Sequence, residues 1–152
     1  MHYLKDAQSI SILGVRVLIN TLTHEADGSA TMRLTVEGRP GGIDFDFPTT
    51  PESLLAEIAN PLIITRHAGL VDFLIDICPC LGTIQVLAHA TPADVMGRVC
   101  IGVLPPHLAA LALLQVEIPL DFSDPALRGS ELTAAGVAAI AGSPRFYRVM
   151  GV

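Results

Sequence analysis

The stretch Pro61-Leu62-Ile63-Ile64-Thr65-Arg66-His67-Ala68-Gly69-Leu70-Val71-Asp72-Phe73-Leu74-Ile75-Asp76-Ile77 decides the fold. Its first residues, 61–65, are a short apolar run with the length of a buried strand. From 68 to 77 the period changes: Leu70, Val71, Leu74 and Ile77 fall on one helical face, and Asp72 and Asp76, four apart, fall on another. A strand followed by an amphipathic helix is the repeating unit of a parallel sheet, because two parallel neighbours need a crossover between them. The same rhythm continues downstream. It predicts strands at 61–65, 83–88, 98–103 and 114–119, helices at 68–77, 106–113 and 133–141, a shorter helical turn at 91–96 and a last edge strand at 145–150.

Upstream the pattern differs. Segments 9–20, 29–37 and 42–47 are rich in Val, Ile, Leu, Thr and Phe, with Asp27-Gly28 as a tight-turn signal and Gly38-Arg39-Pro40-Gly41-Gly42 as a second reversal. Ile43-Asp44-Phe45-Asp46-Phe47 alternates, which predicts both carboxylates on the solvated face of a half-buried strand. Pro48-Thr49-Thr50-Pro51-Glu52 reads as a helix start running to about Asn60, with Thr50 as N-cap, Pro51 in the first turn and Glu52 favourable to the dipole. The expected fold is therefore α/β. A β-rich extension, 1–60, precedes a Rossmann-like domain, 61–152, whose mostly parallel sheet carries helices on its faces.

Composition narrows the function. The net charge of −6 disfavours a long groove for DNA or RNA, which would need an excess of Lys and Arg. A small phosphate-bearing ligand needs only a few focused donors. The 51% hydrophobic and 16% charged content is more apolar surface than a small monomer easily buries, and 107–114 is apolar nearly all round. Both point to a homodimer, with 107–114 at the interface. Met1-His2-Tyr3-Leu4-Lys5-Asp6 lacks the pattern of a signal peptide, which predicts a cytoplasmic protein. The uncharged run from Val99 to Val116 is broken by Gly102 and Pro105-Pro106, so it reads as strand, turn and helix, and no membrane association is expected. Cys78, Cys80 and Cys100 form neither an even framework nor a CxxC pair, and packing accounts for them in a reducing compartment.

Candidate chemistry gathers where parallel sheets bind ligands, in the crevice beyond the carboxyl ends of the strands. Strand 61–65 leads into Thr65-Arg66-His67, strand 83–88 into His89, strand 98–103 into Pro105-Pro106-His107, and strand 114–119 into Asp121-Phe122-Ser123. His67, His89 and His107, three of the five histidines, are thus expected on one rim. Arg66 can offer a phosphate two parallel hydrogen bonds, and His67 can donate or shuttle a proton near neutrality. The polar loop 121–132 has the character of a ligand clamp: capping of the next helix by Ser130 or Thr133, with Glu131 in its first turn, leaves Asp121, Ser123 and Arg128 unexplained. Glycines 69, 97 and 102 do not make GxGxxG, and the single lysine, Lys5, lies far from any strand end, so neither a dinucleotide cofactor nor a Walker-type ATPase is expected. No metal-ligand spacing is present, and no cofactor is called for.

Four short motifs in order resemble a known family. Ile64-Thr65-Arg66-His67 with Gly69-Leu70-Val71, Ala88-His89 with Pro92-Ala93-Asp94-Val95, Ile101-Gly102-Val103-Leu104-Pro105-Pro106-His107-Leu108-Ala109-Ala110, and Arg128-Gly129-Ser130-Glu131-Leu132 are similar to the small type III CRISPR-associated proteins with a "VTRH" start. The resemblance spans about 61–152. It implies a dimeric Rossmann-like ring nuclease that linearises cyclic oligoadenylate, the second messenger of type III CRISPR immunity. Under that reading His67 or His107 transfers the proton and Asp121 orients, while Thr65, Arg66, His89, Ser123, Arg128 and Glu131 contact the ligand. RNA supplies its own nucleophile, the 2′-hydroxyl, so no metal is required. Two alternatives are a module that sequesters the messenger uncut and an interaction protein acting through 1–60. The chain departs from the family in having Ala90-Thr91 where an acidic residue follows the histidine, and in carrying residues 1–60 at all.

Overall fold

Two β-sheets of different kinds organise the chain. The computed structural model describes residues 8–38, 43–47 and 50–151. The reversal expected at 39–42, the N-terminal residues through Asp6, and the faces taken by Asp44 and Asp46 lie outside what it describes. The chain divides between Ala59 and Asn60 into two units.

The first unit is an antiparallel four-stranded meander, β1 (Gln8–Ile12), β2 (Val15–His24), β3 (Ala30–Val36) and β4 (Ile43–Phe47), in sequential order, followed by helix α1 (Pro51–Ala59). Alternation buries Val17 and Ile19 of β2 and Met32 and Leu34 of β3, with Ile19 opposite Leu34. At the β2–β3 turn the Asp27 carboxylate accepts the Ser29 N–H at 2.9 Å and also its hydroxyl, which holds that carboxyl below the ordinary range. The segment 9–20, read as one strand, is two. Leu13 and Gly14 both have positive φ, 50° and 79°, and make a two-residue hairpin turn. A leucine there carries no turn signal, so the reversal was hidden in an apolar run.

The second unit is an α/β sheet in the order β6–β5–β7–β8–β9. Strands β5 (Leu62–Ile64), β6 (Val86–Leu87), β7 (Val99–Gly102) and β8 (Leu114–Glu117) are parallel, and β9 (Arg145–Tyr147) is an antiparallel edge. Helices α2 (Ala68–Ile77), α3 (Pro92–Val95), α4 (Pro106–Ala109) and α5 (Ala134–Ile140) connect them. The chain is thus α/β, with one mostly parallel and one antiparallel sheet. Leu62, Ile64 and Cys100 pack with Val95, Leu108, Ala109 and Ala112 in one cluster. Alternation turns Ile63, Val99 and Ile101 to the opposite face, where they too are buried. A parallel sheet covered on both sides explains why its strands read as unbroken apolar runs.

Elements at the ends of the sheet are shorter than the sequence suggests. Within 83–88 only Val86 and Leu87 pair with β5, because Pro79–Thr83 is taken up by a 3-10 turn. The helix expected over 106–113 stops at Ala109, and the chain turns through 110–113 into β8. Much of the apolar segment 107–114, the expected subunit interface, packs within this unit. Leu108, Ala109, Ala112, Leu113 and Leu114 are each below a tenth exposed, and the first three belong to the core cluster above. Leu111, at 36% exposure, stays open on the surface of the segment. Among the described residues, no helix is long and apolar enough to cross a membrane.

Two glycines set the spacing at the carboxyl end of the sheet. A side chain on Gly69 would run into the Leu132 carbonyl, so its absence lets α2 press against the end of the 121–132 loop. Gly102, at φ 141°, brings the end of β7 against the Ile64 carbonyl oxygen of β5. Its own carbonyl accepts a 3.0 Å hydrogen bond from the buried Gln115 amide, which ties β7 to β8 beneath the site.

Candidate binding cleft at the sheet switch point

Strand β5 leads through α2 to β6 on one side, and the chain then returns to place β7 on the other side of β5. The loops after β5 and β7 therefore leave the sheet in opposite directions and open a crevice between them. A cleft of about 630 Å³ lies there. Its lining comes from the four parallel strand ends: Thr65, Arg66 and His67 after β5; Ala88, His89 and Ala90 after β6; Val103, Leu104 and Pro105 after β7; Ile118, Leu120 and Phe122 after β8. Ile64, Leu70, Ile101 and Leu108 complete an apolar floor, and Glu117 adds a carboxylate.

Local hydrogen bonds fix the polar lip. The Thr65 N–H donates to the Leu87 carbonyl at 2.9 Å, extending the β5–β6 ladder one residue and bringing Thr65 beside the segment that leads to His89. The Thr65 hydroxyl accepts the His67 N–H at 3.1 Å, a tight turn that leaves Arg66 exposed at its apex. His67 is the N-cap of α2 but makes no side-chain capping bond, so its imidazole is not committed to the helix it begins. The segment after His89 is braced by Thr91 and Asp94. The Asp94 carboxylate accepts the Thr91 N–H at 2.6 Å and its hydroxyl at 2.8 Å, a capping box on α3 that holds the Asp94 carboxyl below its ordinary range.

A second hollow of about 430 Å³ adjoins the first. It is lined by Leu127, Arg128, Gly129, Ser130 and Glu131 of the 121–132 loop, and it shares His67 and Phe122 with the larger cleft. Within the loop the Asp124 carboxylate accepts the Ala126 N–H at 3.0 Å to begin a 3-10 turn over Pro125–Leu127. The Ser130 hydroxyl donates to the Leu127 carbonyl at 3.0 Å, and Arg128 Nε donates to the Phe122 carbonyl at 3.4 Å. Thr133 is the N-cap of α5, accepting the Gly136 N–H at 3.1 Å.

The structure brings together Thr65, Arg66, His67 and His89 on the larger cleft and Arg128 and Glu131 on the smaller. It leaves His107, Asp121 and Ser123 outside both linings. For His107 the reason is helical geometry: Leu108 and Ala109 point into the core, so a residue about 100° away on this short helix faces solvent. Asp121 and Ser123 are used in forming the loop. The Asp121 carboxylate accepts the Ser123 N–H at 2.9 Å, and donation from Ser123 keeps its carboxyl below the usual range. A carboxylate stabilised in this way is a poor proton acceptor, and its part here is to shape the turn that presents Phe122. Sequence reasoning gave Phe122 no role. The available signal was a lone aromatic side chain in a polar loop of a chain that is only 5% aromatic.

No protein-family model matches the chain, and no curated protein or solved structure matches it either. Among the described residues, no three His, Cys, Asp or Glu side chains gather to hold a metal ion. The chemistry of the cleft itself therefore carries the functional argument.

Proposed function

We propose that residues 61–152 form a Rossmann-like nucleotide-binding domain and that the protein is a cytoplasmic, metal-independent ring nuclease. It binds and linearises cyclic oligoadenylate and thereby switches off type III CRISPR signalling. The observation that carries this reading is the convergence of Arg66, His67 and His89 on an apolar cleft at the switch point of a parallel sheet. An apolar floor suits a base, a guanidinium suits a phosphodiester, and an imidazole can move a proton near neutrality. Parts of the segments that resemble the "VTRH" family line the two hollows: 64–67 and Leu70, 88–89, 101–105 and Leu108, and 128–131, while 92–95, 106–107 and 109–110 do not. Homodimerisation belongs to the same reading. A two-fold axis would offer the cleft twice to a ring, and Val103, on the cleft lip, is 73% exposed.

The reaction needs no external nucleophile. A ribose 2′-oxygen attacks the adjacent phosphorus while His67 accepts its proton. The bond from phosphorus to the 5′-oxygen breaks, and that oxygen takes its proton from a solvent water. The product ends are a 2′,3′-cyclic phosphate and a 5′-hydroxyl. Arg66 stabilises the charge that builds on the non-bridging oxygens.

Incubating the full chain with labelled cyclic tetraadenylate tests the reading. Linear product is expected, and it is expected to persist in excess EDTA. Loss of cleavage in EDTA with recovery on added manganese would reject the metal-independent mechanism. Tight binding without product over hours would leave a sequestering module in its place. Arg66→Ala removes a charge-assisted contact to phosphate and is expected to weaken binding of the ring by roughly tenfold or more, read by equilibrium titration. Unchanged affinity would take Arg66 out of the site.

A further inference from the structure

The two hollows repeat one composition. The larger has an arginine, Arg66, a carboxylate, Glu117, and an apolar floor; the smaller has Arg128, Glu131 and the Leu127 side chain. Between them stand His67 and Phe122, the residues that both linings share. A carboxylate works against a phosphate placed beside it, but it accepts hydrogen bonds from an exocyclic amine such as that of adenine. Each volume, about 630 and 430 Å³, lies within the range of roughly 300–1,000 Å³ occupied by small-ligand sites.

Resting on the functional reading above, we infer that the site takes two consecutive nucleotides, one base in each hollow, with the phosphodiester that joins them lying across the His67–Phe122 ridge. Arg66 approaches that phosphate from one hollow and Arg128 from the other. Phe122 is the positioning residue. It is 37% exposed, and its backbone carbonyl accepts from Arg128 Nε, which couples the ridge to the second hollow. A base stacked on the ring fixes the sugar on one side of the phosphate, and the second hollow fixes the other. Each cleft then holds the ring at one linkage, with the 2′-oxygen and phosphorus aligned beside His67.

The test compares adenylyl-(3′→5′)-adenosine, blocked at its 2′-oxygen by methylation, with AMP, both titrated against the full chain. The dinucleotide is expected to bind at least about tenfold tighter than AMP. Phe122→Ala should remove about tenfold or more of the dinucleotide's affinity, in line with loss of one base–aromatic stack, and Phe122→Tyr should restore it. Ser130→Trp, which fills the smaller hollow, should bring the dinucleotide down to the affinity of AMP for the larger hollow. If cyclic tetraadenylate binds but the dinucleotide has no advantage over AMP, or if Ser130→Trp affects neither, the two-nucleotide site is wrong and the functional reading survives. If neither the ring nor any fragment binds to folded protein, both fall.

Discussion

Replacing His67 with alanine is expected to slow single-turnover cleavage of cyclic tetraadenylate by about 10²–10⁴-fold, with a much smaller effect on affinity. His67 begins α2, lines both hollows and makes no side-chain capping bond, so its removal takes away a proton carrier without dismantling the helix start. The His67 N–H still donates to Thr65, because that bond uses the backbone. Rapid-quench sampling at saturating protein measures the rate, and circular dichroism checks the fold. The same replacement at His107 tests the choice that the sequence left open: an exposed side chain outside both linings should matter little. A slow His107→Ala beside a normal His67→Ala would reverse the assignment.

Gly102→Ala is expected to destabilise the second unit strongly. A Cβ at this position runs into the Ile64 carbonyl oxygen, a backbone atom that cannot swing away, and the φ of 141° is itself strained for a residue with a side chain. Backbone strain of about 1–3 kcal/mol and overpacking of a similar size add up to a large part of the roughly 5–15 kcal/mol that holds a domain together. Separation of the β5 and β7 ends would also disturb the Gln115 amide bond to the Gly102 carbonyl. The thermal midpoint should fall by more than about 10 °C. A variant melting within two or three degrees of the parent would mean that the β5 and β7 ends can separate at little cost.

Much of the second unit could be read directly because its code is local. The run 61–65 and the period of 68–77 specify β5 and α2 without reference to any other part of the chain. The strand-end rule then placed Thr65, Arg66, His67 and His89 near one another before any coordinates, because parallel strands all finish on the same side of the sheet. The rule fails for His107 through a single helical step: knowing that a residue follows a strand does not say which side of the next helix it takes. It also left Phe122 without a role, since the function of an exposed ring depends on two hollows that no local pattern encodes.

By itself the sequence determined the antiparallel and parallel character of the two regions, the α/β class and the order of the strand-end residues, because hydrophobic period and turn chemistry act over a few neighbouring positions. Only the tertiary structure decided that Leu13-Gly14 turns the chain, where the second register of a hairpin must be present to reward a leucine at positive φ. It also decided that most of 107–114 packs inward while Leu111 stays exposed. An apolar segment needs cover, but whether its own sheet or another subunit supplies that cover depends on how far α4 runs before β8 begins. Finally, the placement of His67 and Phe122 between two adjoining hollows comes from a long-range contact. The 121–132 loop is held against α2 where Gly69 leaves room for Leu132, and residues more than sixty positions apart meet only once the whole sheet is assembled.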